Sequence, residues 1–214
     1  MTLLAYGGGT EECKYNHIYN NTYYDNVNGI HQEGSGDTTE NIFKNNLFWA
    51  NAHDIQGSLN GNYLVDNTWS NGSNPQFLNP PNDLSLQTTS PMINAGTALT
   101  VVATADTGSG TTLRVDDAAY FQDGWNVPGV DADWIAVGSV TNVVQISSIN
   151  YATNTITLTN SIARNDADSV WLYKNSMGNI VLLGSAPDIG ALESNIVPDT
   201  FSKPRNLRIL SVSK

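Results

Sequence analysis

His31 and Glu33 stand two residues apart in the stretch GIHQEG, so an extended backbone would turn both side chains to one face. An imidazole beside a carboxylate is an acid/base pair or half of a metal site. Ordinary solvated outer-face residues are the plainer reading of the pair, and hydrogen bonding to a sugar is a third. One repeat further on, Gln56 and Ser58 hold the same register, and His17, Asp37, His53 and Asp54 complete a looser set.

Aromatic side chains form a second group. Tyr23/Tyr24, Phe48/Trp49 and Trp69 recur at matching positions. Alternation along a strand sends neighbouring rings to opposite faces, so one column should fill a core and the other could line the surface. Exposed flat rings stack on pyranoses. Trp49, Trp69 and Trp125 are the candidate sugar-binding rings, with Tyr24 and Tyr120 beside them; the other reading buries both columns. A third group lies in Asp116–Trp134, where five Asp and two Trp fall within one short stretch. Asp117, Asp123, Asp131 and Asp133 are oxygen ligands of the kind Ca²⁺ takes, although the EF-hand spacing is missing. Asp as turn-former, with Trp125 and Trp134 in a core, explains the same residues.

The elements that must position these groups announce themselves as a repeat. NHIYNNTYYDN, NIFKNNLFWAN and NYLVDNTWSN begin at Asn16, Asn41 and Asn62, steps of 25 and 21 residues. Asn21, Asn46 and Asn67 align, and Ile30 falls over Ile55. Such periods mean units that bury a face only against their neighbours. The repeats are rich in Asn, Tyr, Trp, Thr and Ile, which favours short strands over helices. Asn tolerates left-handed backbone and can turn a corner, and stacked asparagines about 4.8 Å apart can bond in a ladder. The spacing predicts an all-β chain with a right-handed parallel β-helix of about three coils.

After the repeats, PQFLNPPNDLSLQTTSPMINAG (Pro75–Gly96), resumed by SAPDIGALE (Ser185–Glu193), resembles the C-terminal closure of secreted β-helix proteins of the pectate-lyase-like superfamily. Asn94 and Asn74 stand where that pattern has Asp. The resemblance implies a β-helix of 1–98 closed by a return strand at 185–198. It also implies polysaccharide chemistry, by a lyase or a glycoside hydrolase, or a binding or adhesin role. Between the two halves, 99–184 carries short β-branched runs between Gly, Asn and Asp turns, and predicts an inserted small antiparallel β-barrel or sandwich. Residues 199–214 read as a linker and the first strand of a fibronectin type III-like module. The expectation is therefore a C-terminal fragment of a longer modular protein, with any signal peptide upstream.

Composition narrows the partners. The formal net charge is −11 and only 14% of residues are charged, so there is no basic surface for nucleic acid. No run of 18 apolar residues suggests a membrane span. One cysteine, Cys13, excludes an internal disulfide. Low Lys with abundant Asn, Thr and Gly suits a secreted protein. Lys14 and Lys44 are the only strongly basic residues of the repeats, without the arginine that β-elimination on these folds uses, and no paired carboxylates sit at glycosidase spacing. The functional expectation is weak, non-catalytic binding of a neutral or cation-bridged polysaccharide, with lyase or hydrolase activity and a structural spacer as alternatives. Oligomeric state is not legible.

Overall fold

The computed structural model describes residues 12–33, 38–57, 69, 72 and 74–194, together with the backbone of 2–4 and 63–64. Apart from one turn of 3₁₀ helix, the described chain is all-β. The repeat region makes eight short strands: β1 (Thr2–Leu4), β2 (His17–Tyr19), β3 (Thr22–Tyr24), β4 (Asn28–Glu33), β5 (Ile42–Lys44), β6 (Leu47–Trp49), β7 (His53–Gln56) and β8 (Tyr63–Leu64). They pair in parallel as β1-β4-β7, β2-β5-β8 and β3-β6. Ile18 stands opposite Phe43, Tyr23 opposite Phe48, and Ile30 opposite Ile55.

The corners explain the repeat. Left-handed backbone occurs at Tyr15 and Glu40, at Asn20 and Asn45, and at Asp25 and Ala50, each pair one 25-residue step apart. The asparagine after each corner bonds to its counterpart. Asn16 Nδ2 donates to Asn41 Oδ1 (2.8 Å), Asn21 Nδ2 to Asn46 Oδ1 (3.0 Å) and Asn26 Nδ2 to Asn51 Oδ1 (3.0 Å). Asn67 lies outside the described residues.

The right-handed parallel β-helix of about three coils is not upheld. Among the described residues, parallel pairing amounts to three ladders of two or three short strands and a Leu47–Trp69 bridge, and the largest sheet is antiparallel. The physical reason lies after the second repeat, where the step shortens. Beyond it, strands β9 (Phe77–Asn79) and β10 (Asp83–Leu86) turn around Pro80 and Pro81 into an antiparallel hairpin, which cannot extend a parallel ladder.

That largest sheet is built from β11 (Thr100–Val101), β12 (Gly108–Arg114), β13 (Trp134–Val137), β14 (Val143–Asn150), β15 (Thr155–Arg164) and β16 (Ser169–Lys174), in the order β11-β16-β13-β14-β15-β12. Register shifts near Gly110–Thr112 and Ile146–Ser148 bend it, as bulges do. It curls into a half-barrel, and a Val102–Val115 bridge joins the ends of its two edges. Leu113, Ile135, Val144, Ile146, Ile156 and Val170 are buried inside the curl. Asn150 caps the 3₁₀ turn Tyr151–Thr153 and Asn154 leaves it in left-handed backbone, so β14 and β15 form a hairpin.

The half-barrel leaves and returns at one place. The Gly96 N–H donates to Pro187 O (2.8 Å), and Asn94 Oδ1 accepts from Ser185 and Ala186 N–H. It also leans on the ladders: Tyr19 and Ile42 pack against its core, and Lys44 Nζ donates to Leu99 O (2.8 Å).

Candidate functional site

The residues singled out in the repeats do not converge. His31 and Glu33 both lie on β4, His31 half-buried and Glu33 exposed, and neither side chain is hydrogen-bonded to another described residue. Asp37 lies outside the described residues. His17 instead meets a residue one hundred positions away: its Nε2 is 2.9 Å from Asp117 Oδ2. That hydrogen bond is the foremost reason the Asp117 carboxyl sits below the usual range, and it ties β2 to the half-barrel.

Nor do the four aspartates form a calcium cage. Among the described residues no three His, Cys, Asp or Glu side chains gather as metal ligands. Asp117 is engaged by His17 and by the Ala119 N–H (2.9 Å). Asp123 accepts from Trp125 N–H (3.1 Å) and Ile149 N–H (3.0 Å). Asp131 is exposed, and Asp133 is bonded to Gln122. Asp117 and Asp123 accept from the N–H two residues on, as Asp in a turn does.

The aromatic candidates divide. Tyr24 is half-buried, edge-on to Phe77, with centroids 5.8 Å apart. Trp49 and Trp69 are half-buried against the cluster of Leu47, Phe77 and Met92. Trp69 lies so close over Gly72 that a side chain there would overlap the indole. Tyr120 is only 5% exposed, packed between the His17 and Tyr19 rings with Lys44 Nζ 5.2 Å from its centroid. Trp125 alone among the candidate tryptophans stands out, at 61% exposed. The alternative that put it in a core does not hold.

Trp125 is held up by its loop. Asp123 Oδ1 accepts its main-chain N–H, and Asp123 Oδ2 pins the loop to β14 through Ile149. Gly124 precedes it at φ +82, where an added Cβ would sit 2.6 Å from Val130 O, so glycine is required. Trp125 and Asn126 then continue in left-handed backbone. Its indole lines one hollow with Tyr151, whose hydroxyl donates to Phe121 O (3.0 Å).

Below the indole is a hollow of about 260 Å³ lined by Tyr19, Tyr120, Gln122, Asp133 and Tyr151. The Tyr19 hydroxyl donates to Tyr120 O (2.8 Å). Burial, then the charge of Asp133, push the Tyr19 phenol up to about 12. Burial likewise raises Tyr120 and Tyr151, so all three phenols stay neutral hydrogen-bonding groups. Burial pushes the Asp133 carboxyl up to about 6 against the opposing bonds from Gln122. An exposed indole beside phenols, an amide and a carboxyl can stack on a ring and bond its hydroxyls. Gln122 and Tyr151 escaped the sequence reading; only their places beside the Asp-rich run and in the hairpin turn hinted at them.

A larger cleft, about 380 Å³, runs along the seam and includes Asn20, Asp188 and Glu193. Its carboxylates serve the main chain: Asp188 accepts from Asn94 and Ser194 N–H, and Glu193 from Leu183 and Asp188 N–H.

No protein-family model, curated protein or solved structure matches this chain. With its parallel pairing limited to short ladders, the expected place in the pectate-lyase-like superfamily, as a C-terminal fragment of a secreted β-helix protein, is withdrawn.

Proposed function

We propose that this chain is a carbohydrate-binding protein that holds a polysaccharide at the Trp125 hollow without cleaving it. One observation carries the reading: a tryptophan 61% exposed, presented by a loop that Asp123 and Gly124 shape. A large apolar ring kept at the surface by a rigid loop loses little entropy on binding, and that is where stacking on a sugar is most favourable. Polar partners for sugar hydroxyls stand beside it in Gln122, Asp133 and Tyr151. The acidic charge and the scarcity of lysine fit a neutral glycan, or one bridged by a cation. A secreted setting fits the same composition. Affinity electrophoresis of the chain and of Trp125→Ala through gels of neutral polysaccharides tests this, with reducing ends measured in parallel. Retardation lost in the variant is expected; equal retardation of both, or steady release of reducing ends, would overturn it.

A further inference from the structure

Asp133 is 4% exposed, yet its carboxyl lines the hollow beneath Trp125. Gln122 uses part of its capacity: the main-chain N–H donates to Oδ2 (3.0 Å) and the side-chain amide reaches Oδ1 only at 3.4 Å. A carboxylate offers about four lone-pair directions, so Oδ1 has room for another donor. A sugar hydroxyl is such a donor; an ionised sugar carboxylate is not.

Among the described residues no lysine or arginine lines this hollow to offset a second negative charge. From the loop, Asp123 and Asp131 stand on either side of the residues that carry Trp125. Tyr19 from β2, Tyr120 from the preceding loop and Tyr151 from the hairpin turn face it as neutral phenols. The Ser176 main chain approaches from beyond β16. The nearby cations have other partners: Lys174 lies over Trp134 (4.7 Å), Lys44 Nζ, beside the Tyr120 ring, donates to Ala98 O and Leu99 O, and His17 is bonded to Asp117.

We propose that Asp133 sets the ligand class of the hollow, admitting neutral hydroxyl-bearing sugar rings and excluding uronic acid rings until it takes up a proton itself. The inference rests on the reading of the Trp125 hollow as a sugar site. Once protonated, the carboxyl becomes a donor and can bond a uronate oxygen directly. Because burial carries its titration up to about 6, the change falls where uronates are still ionised.

The test pairs gluco-, manno- and galacto-oligosaccharides with their C6-oxidised uronic counterparts, and reads both dissociation constants at about pH 5 and about pH 8, on either side of the titration. At the higher pH the neutral probe should bind about tenfold or more tightly than its oxidised partner, and at the lower pH the two should agree within about threefold. In Asp133→Asn, checked for folding by circular dichroism, the ratio should stay small at both. A wild-type ratio that does not move with pH overturns the role of Asp133, as does a variant that keeps the wild-type pH response. Trp125→Ala keeps the two ideas apart: binding unaffected by that change, or no binding of any probe, removes the hollow itself as the sugar site and this inference with it.

Discussion

At the scale of single residues, exposure separates rings that bind from rings that hold the fold. Trp125→Ala removes a ring that is mostly solvated, so it should lower glycan affinity several-fold, by about 1 kcal/mol or more for a lost stacking partner, with little change in thermal midpoint. Calorimetric titration beside a melting curve checks both halves, and a large drop in the midpoint would mean that the ring is structural. Phe48 is the contrast. It is fully buried and stacked on Tyr23 with centroids 4.7 Å apart. Phe48→Ala should cost about 3–5 kcal/mol in urea unfolding, since it loses both transfer energy and the packing around the cavity. Such a cost should leave the binding constant of the folded fraction unchanged, because Phe48 does not line the Trp125 hollow.

At the scale of elements, the asparagine ladders differ by burial. Asn46 is fully buried; its Oδ1 accepts from Asn21 N–H (3.2 Å) and Asn21 Nδ2, and its Nδ2 donates to Ile18 O (2.7 Å). Asn46→Ala strands those groups away from water and should cost about 2–4 kcal/mol, whereas the exposed Asn26→Ala should cost under about 1 kcal/mol. Equal costs in denaturant titrations would show that burial does not govern the ladders. The repeat made these ladders legible, because the bonded residue is the one that recurs. It did not reveal which residue turns the corner: left-handed backbone falls one position earlier, on Tyr15, Glu40 and Ala50 as well as on Asn20 and Asn45. Alternation in Thr155–Arg164, with Ile156, Leu158 and Ile162 inside, made the antiparallel strands readable. The site was readable only in part. Trp125 sits in an evident Asp-rich loop, but Asp133, Gln122 and Tyr151 meet through long-range folding, and no local pattern encodes a contact such as His17–Asp117.

Across the whole molecule the acidic charge makes pH a probe of how these parts are balanced. The folded Asp133 holds its proton to about 6, while an unfolded Asp gives it up near 3.8. Between those values the folded chain binds the extra proton, so this residue's contribution to stability falls as pH rises through the window. Asp117 acts in the opposite sense, because His17 holds its carboxyl low. Its contribution is present above the ordinary carboxylate value and is lost as pH drops through the depressed one. The two residues pull in opposite directions, and Asp106, held low against partial burial by Arg164 and the Arg114 N–H, acts in the same sense as Asp117. Repulsion between exposed charges is screened at about 0.5 M salt, whereas a buried carboxyl is screened much less. Urea midpoints measured in that salt should therefore be higher at about pH 5 than at about pH 8, and Asp133→Asn should remove most of the difference. A variant that keeps the full difference would locate the pH dependence elsewhere in the chain and leave Asp133 an ordinary ionised turn residue.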